Sequence, residues 1–129
     1  MPLPLFIGEK ATIKRAFTKS DLAKFSQLVK RPPSALTTNN EVVPEALLAG
    51  LFSALLGTTL PGQGTIYLKQ HLNFVVSAQV EDELLATVEI VNIRADKGLI
   101  TCKTICTNSK NNTICEGEAL VMNKQRASQ

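Results

Sequence analysis

The stretch Val42-Val43-Pro44-Glu45-Ala46-Leu47-Leu48-Ala49-Gly50-Leu51-Phe52-Ser53-Ala54-Leu55-Leu56-Gly57 decides the fold. Its proline stands near the first helical position and its last glycine near the position just past the end, the usual punctuation of an α-helix. After Glu45 the segment is apolar all the way round. A bilayer needs about 20 apolar residues in a row, so a membrane-spanning reading fails for a shorter run that begins at an acid. A helix with no polar face is expected to be buried on every side. Within one small domain, that calls for a sheet curled around it.

The flanks supply the sheet. Upstream, Lys10 to Phe17 reads as a short strand, and Thr18 as a helix N-cap with Asp21 at the third position of a capping box. Leu22, Phe25 and Leu28 recur at helical spacing and give that helix one apolar face. Pro32-Pro33 stops it, and Arg31 to Asn40 reads as an irregular loop. Downstream, Ile66, Leu68, Leu72, Phe74 and Val76 alternate with Lys69, His71 and Asn73, a half-buried strand. Leu84 to Ile93 is apolar at nearly every position, the pattern of a strand covered on both faces. Ile100, Cys102, Thr104 and Cys106 share a face of a third strand. Cys115, Gly117, Ala119 and Val121 share a face of a fourth, with side chains small enough for a helix to come close. Turn chemistry at Asn108 to Asn112 joins these two. The class is α+β: a curved antiparallel sheet wrapped around one long buried helix.

Composition agrees with a single domain over residues 1–129. Hydrophobic residues make up 44% and charged residues 19%, the balance of a globular chain and not of a disordered one. Tryptophan is absent, so the core is aliphatic. A net charge of +3 is too small to argue for nucleic acid. Basic residues do crowd toward the start: Lys10, Lys14, Arg15, Lys19, Lys24, Lys30 and Arg31 stand against only Glu9 and Asp21. They read as a solvated face, or as a patch for a phosphorylated ligand or an acidic partner. The three cysteines, an odd number without a recognisable signal peptide, point to free thiols in a reducing compartment, and the cytoplasm is expected. With no histidine nearby their spacing makes a poor zinc site, and neither a metal nor a cofactor is expected. As small buried hydrophobes they need no further role.

From Leu55 to Phe74 the chain reads Leu-Leu-Gly-Thr-Thr-Leu-Pro-Gly-Gln-Gly-Thr-Ile-Tyr-Leu-Lys-Gln-His-Leu-Asn-Phe. This stretch closely resembles the MaoC-like hotdog family, which includes (R)-specific enoyl-CoA hydratases and 3-hydroxyacyl-thioester dehydratases. The likeness extends upstream through Phe17-Thr18 and Phe25-Ser26-Gln27-Leu28. Downstream it runs through Asp82-Glu83-Leu84 and Lys97 to Glu116-Gly117-Glu118-Ala119. It implies a hotdog fold and a homodimer, or a heterodimer with another hotdog protein. It also implies an acyl-CoA or acyl-carrier-protein ligand drawn from fatty acid metabolism. The family's hydratases resemble one another in a Gly-Asp-x-Asn-Pro-x-His segment after the first helix, whose aspartate and histidine form a general acid–base pair. With Phe25 and Leu28 in register, Arg31 falls where the aspartate is expected and Leu36 where the histidine is. Pro44 and Glu45 stand where the family's buried helix opens with His-Gly, and the intervening stretch is shorter. Arginine cannot accept a proton at neutral pH and leucine cannot transfer one. Such a loss typically removes about two to four orders of magnitude per contributor.

The reading is therefore a MaoC-like hotdog protein without the dyad, a non-catalytic acyl-thioester binder or a partner subunit. The alternatives are a divergent hydratase or dehydratase, or a thioesterase working through Glu45. Glu45 is the one catalytic candidate, in a first helical turn whose N–H groups can stabilise an oxyanion; the plainer role is a carboxylate that complements the helix dipole. Pro61, Gly62, Gly64 and Tyr67 are candidates for shaping an acyl-thioester channel, or else for a turn tied down by dimerisation. Lys30 and Arg31 are candidates for meeting the ligand's phosphates. His71, the only histidine, has the polar parity of its strand and reads as a surface or interface residue. Gln70 has the helix-facing parity and is expected to satisfy buried backbone.

Overall fold

The computed structural model describes residues 3–30 and 41–128 of the chain. Its elements follow in the order β1 (Lys10–Arg15), α1 (Lys19–Val29), α2 (Glu45–Thr58), β2 (Ile66–Phe74), β3 (Leu84–Arg94), β4 (Leu99–Thr107), β5 (Thr113–Met122) and α3 (Lys124–Ala127). The five strands form one sheet in the order β1-β3-β4-β5-β2, with every neighbouring pair antiparallel. β1 and β2 are its edges, and α2 lies against its inner face.

The expected capping box is present at α1. Thr18 Oγ1 accepts from Asp21 N at 3.0 Å, and Asp21 Oδ2 accepts from Thr18 N at 2.9 Å. The helix ends at Val29 because Lys30 takes the left-handed conformation, φ 58°, before Pro32 is reached. Leu22 is buried and Phe25 half-buried, but Leu28 is 80% exposed. The apolar face of α1 thus leaves the core in its last turn, contrary to the periodicity.

Helix α2 also departs from expectation. Leu48, Leu51, Phe52, Leu55 and Leu56 are buried against the sheet, whereas Ala46, Gly50, Ser53, Ala54 and Gly57 are exposed. The expectation of burial on every side fails because alanine and glycine count as apolar while offering little surface to bury. The sheet covers the large residues and leaves a small-residue stripe outside. Gly57 lies within the last helical turn rather than past it, and Thr59 is the C-cap.

The inner face of the sheet is the core. Leu84, Ala86, Val88 and Ile90 of β3, Ile100, Cys102, Thr104 and Cys106 of β4, and Cys115, Ala119 and Val121 of β5 are each at most 1% exposed. β3 is not covered on both faces: Leu85 and Thr87 are half-buried and Val91 is exposed. Across the outer face, Lys10, Glu89, Lys103 and Glu118 stand opposite one another from β1 to β5, alternating in charge as cross-strand pairs favour, and His71 of β2 follows next to Glu118. Gly117 serves a closer contact than the helix packing read from its small neighbours. A Cβ there would lie 1.8 Å from the His71 carbonyl oxygen, so its small size admits the β2 backbone.

β2 carries a bulge. Its register with β5 passes from Tyr67↔Val121 to Lys69↔Leu120, which inserts one residue. Side chains beyond a bulge change face. Tyr67 therefore shares the helix side with Val121, and Ile66 falls on the outer side with Met122, against the simple alternation read from Ile66 to Phe74.

Candidate functional site

The segment before α2 is pinned to the segment after β2. Val43 N donates to Ala78 O at 2.8 Å, Val80 N donates to Glu41 O at 2.8 Å, and Val42 bridges Gln79. This places the N-terminal end of α2 beside Phe74, Val75 and Val76. Between them opens a groove of about 500 Å³, walled also by Phe25 of α1, Pro44 and Leu48. Glu45 stands on that wall and is the only titratable side chain lining the groove among the described residues. It sits in the first turn of α2, where free N–H groups and the helix dipole favour an anion. Apolar and polar surface share the lining about equally, and Glu45 provides one proton-transfer group. The phenylalanines and valines of this wall escaped sequence reading. The only hint was that Val75-Val76 continues the apolar run past the strand without a polar alternate.

The other candidates lie elsewhere on the chain. Pro61, Gly62 and Gly64 line a depression at the far end of α2, with Thr59 and Arg126. Gly62 and Gly64 hold φ of 100° and 90°, conformations open to glycine. The turn is tied to α3 and its cap: Arg126 Nε donates to Pro61 O at 3.2 Å, and Asn123 Nδ2 donates to Gln63 O at 3.1 Å. The fourteen residues of α2 separate this turn from Glu45 by about 20 Å. Within one chain the structure does not bring Pro61, Gly62 and Gly64 to the groove. Lys30 is exposed at the end of α1. Arg31 and Leu36 lie outside the described residues.

Tyr67 and Gln70 form a polar line along β2 on the helix side. The Tyr67 hydroxyl donates to Gln70 Oε1, and burial pushes the phenol up to about 12. Gln70 Nε2 lies 3.1 Å from Glu118 O, 3.2 Å from His71 O and 3.3 Å from the buried Thr104 Oγ1. Gln70 therefore donates to the backbone carbonyls of two exposed residues and to the buried Thr104 hydroxyl, so the backbone it satisfies is not the buried backbone its parity suggested. His71 is on the outer face opposite Glu118. The three cysteines are free and buried, and no cluster of metal-ligating side chains occurs among the described residues.

A single antiparallel sheet laid against one long apolar helix is the hotdog architecture, and comparison with known proteins agrees. The chain is 38% identical over 126 residues to an (R)-specific enoyl-CoA hydratase of Aeromonas caviae, covering 91% of this chain and 94% of that one. It is 34% identical to an (R)-specific enoyl-CoA hydratase of Rhodospirillum rubrum, covering 89% and 85%. Its structure superposes on the (R)-hydratase from A. caviae involved in PHA biosynthesis with a TM-score of 0.81 at 35% identity, covering 92% and 96%. No family model matches the chain. The chain belongs to the (R)-specific enoyl-CoA hydratase family of MaoC-like hotdog proteins. None of its described helices is long and apolar enough to cross a membrane.

Proposed function

We propose that this chain binds acyl thioesters, as CoA or acyl-carrier-protein conjugates, without hydrating them, as a homodimer or as partner to another hotdog protein. One observation carries the reading: the chain has a single histidine, and it lies on the outer face of the sheet, away from the groove. The segment 31–40, where the family resemblance expects the acid–base pair, reads Arg-Pro-Pro-Ser-Ala-Leu-Thr-Thr-Asn-Asn and contains neither a carboxylate nor an imidazole. Hydration needs a proton taken from water and another delivered to the α-carbon. Glu45 alone on the groove wall is a poor substitute for two groups of matched pKa.

A second copy supports the ligand site. β2 is a free edge, with Ile66 57% and Leu68 47% exposed, and Val75 and Val76 beyond it are 60% and 45% exposed. Pairing β2 with its own copy closes that edge. Antiparallel pairing sets the Ile66 end of one chain beside the Phe74 end of the other. Pro61, Gly62, Gly64 and Tyr67 of one copy then approach the groove of its partner, with Lys30 and Arg31 offering charge for phosphates. The exposed stripe of α2, built from Ala46, Gly50, Ser53, Ala54 and Gly57, offers small side chains for close packing with the second copy.

The position of Glu45 favours a second reading, in which its carboxylate acts as base in thioester hydrolysis. Calorimetric titration with crotonyl-CoA tests binding, and release of free CoA in the same sample tests hydrolysis. Heat of binding without released thiol is expected. Released thiol that disappears in Glu45→Gln would establish the second reading, and neither heat nor thiol would refute both.

A further inference from the structure

Cys106 and Cys115 are direct cross-strand partners on β4 and β5, both free and both fully buried on the helix side of the sheet. Asn123 N donates to Gly98 O at 2.9 Å and Asn108 N to Asn112 O at 3.0 Å. Ladder bonds therefore fall on the even-numbered residues of β4, and Cys106 occupies a hydrogen-bonded position. Residues so paired have Cα atoms about 5.5 Å apart, inside the span of about 4.4 to 6.8 Å found for disulfides. Their side chains stand farther apart than at the alternate positions, so closing a bond draws the strands together. The register shift between Cys106 and Thr107 provides slack beside the pair. The thiols already interact: a hydrogen bond from Cys115 holds Cys106 below the usual thiol range, and the same contact pushes Cys115 well above it. A lowered pKa makes one sulfur of a pair the better nucleophile.

We propose that Cys106 and Cys115 are a redox-active pair that closes to a reversible cross-strand disulfide in the presence of a peroxide. The Cys106 thiolate attacks one peroxide oxygen, the O–O bond breaks, and the departing oxygen leaves as water after protonation. The resulting sulfenic acid is attacked by the Cys115 sulfur, the S–O bond breaks, and a second water leaves. In sum, two thiols and one hydrogen peroxide give one disulfide and two waters. Peroxide is close to water in size, and the pair lies at the turn end of the β4–β5 hairpin, where local opening admits it. A bond at a hydrogen-bonded position is strained and so is readily reopened by a dithiol. Cys102 is an internal control: it lies four residues along β4, about 13 Å away, opposite Ala119, and burial pushes its thiol up to about 12. Cys115 also stands opposite Phe74, a wall of the groove, so closure moves that wall. The proposal does not rest on the acyl-thioester reading.

The test treats the native chain with equimolar hydrogen peroxide, blocks remaining thiols, and maps cysteine peptides by mass spectrometry. The expected result is a Cys106–Cys115 linked peptide lacking two hydrogens, released by dithiothreitol, with Cys102 alkylated only after denaturation. Cys102→Ala keeps the link and Cys106→Ala abolishes it. A chain that stays folded by circular dichroism and yields no link overturns the proposal. So does a sulfinic acid in place of the link, or a link through Cys102 or between chains.

Discussion

Replacing Gly117 with alanine tests the account of the sheet at one atom. The added Cβ would lie 1.8 Å from the His71 carbonyl oxygen and 3.0 Å from Leu72 Cα. Unstrained contacts of this kind begin at about 3.5 Å, so β2 must retreat by about 1.5 Å or more. The obstacle is backbone, and no side chain can swing away to relieve it. Overpacking by one methyl in a fitted core costs about 1 to 3 kcal/mol, and each ladder bond stretched by the retreat adds about 1 kcal/mol. A total near 3 kcal/mol corresponds to a fall in Tm of roughly 10 °C for a chain of this size. The same change at Gly50 meets nothing within 4 Å and sits in a helix, where alanine gains about 1 kcal/mol over glycine in the isolated chain. Thermal melts followed by circular dichroism compare the two. A Gly117→Ala chain that melts with the parent would refute the close β2–β5 approach.

The Asp21 carboxyl is held below its usual range, first by the Thr18 backbone N–H and also by Arg15, 3.1 Å away. A pKa depressed by folding contributes stability that is present above the unfolded value near about 4 and is lost as pH falls through the folded value. Denaturation midpoints across that window should fall with pH, and Asp21→Asn should flatten that part of the slope. In the proposed dimer, Gly50→Leu on the exposed stripe of α2 should leave the chain folded but shift sedimentation toward monomer; an unchanged dimer would remove that stripe from the interface. Arg31→Asp combined with Leu36→His should not restore crotonyl-CoA hydration, because Pro44 and Glu45 still stand where the family's His-Gly pair is expected. Recovered turnover would mean that the residues at 31 and 36 are the obstacle and that Pro44 and Glu45 are not.

The sheet was legible where alternation and side-chain size agree. Ile100, Cys102, Thr104 and Cys106 keep one parity over a regular strand, and all four are buried. Legibility fails at the β2 bulge, because an inserted residue leaves no mark in composition yet reverses the faces of Ile66 and Tyr67. It fails again at α2 for a different reason: periodicity counts alanine and glycine as core, while burial follows area, and the stripe through Ala46 and Gly50 lies open. Of the candidate site, Glu45 could be read from its place beside Pro44. The groove walls could not, since Phe25 and Phe74 are brought together by pairings between segments far apart in sequence, such as Val43 with Ala78. The resemblance grouped Pro61, Gly62 and Gly64 with Lys30 and Arg31, but one chain alone puts the turn and Glu45 at opposite ends of α2.

The groove is proposed to hold an acyl thioester without an acid–base pair to hydrate it. Single-turnover incubation tests this most directly: the chain is mixed in molar excess over crotonyl-CoA, and the loss of the enoyl double bond is followed beside an (R)-specific hydratase as positive control. Crotonyl-CoA is expected to be bound and recovered unchanged over the time in which the control converts it fully. Conversion to 3-hydroxybutyryl-CoA at a comparable rate would contradict that proposal and would place an active proton donor and acceptor in this chain.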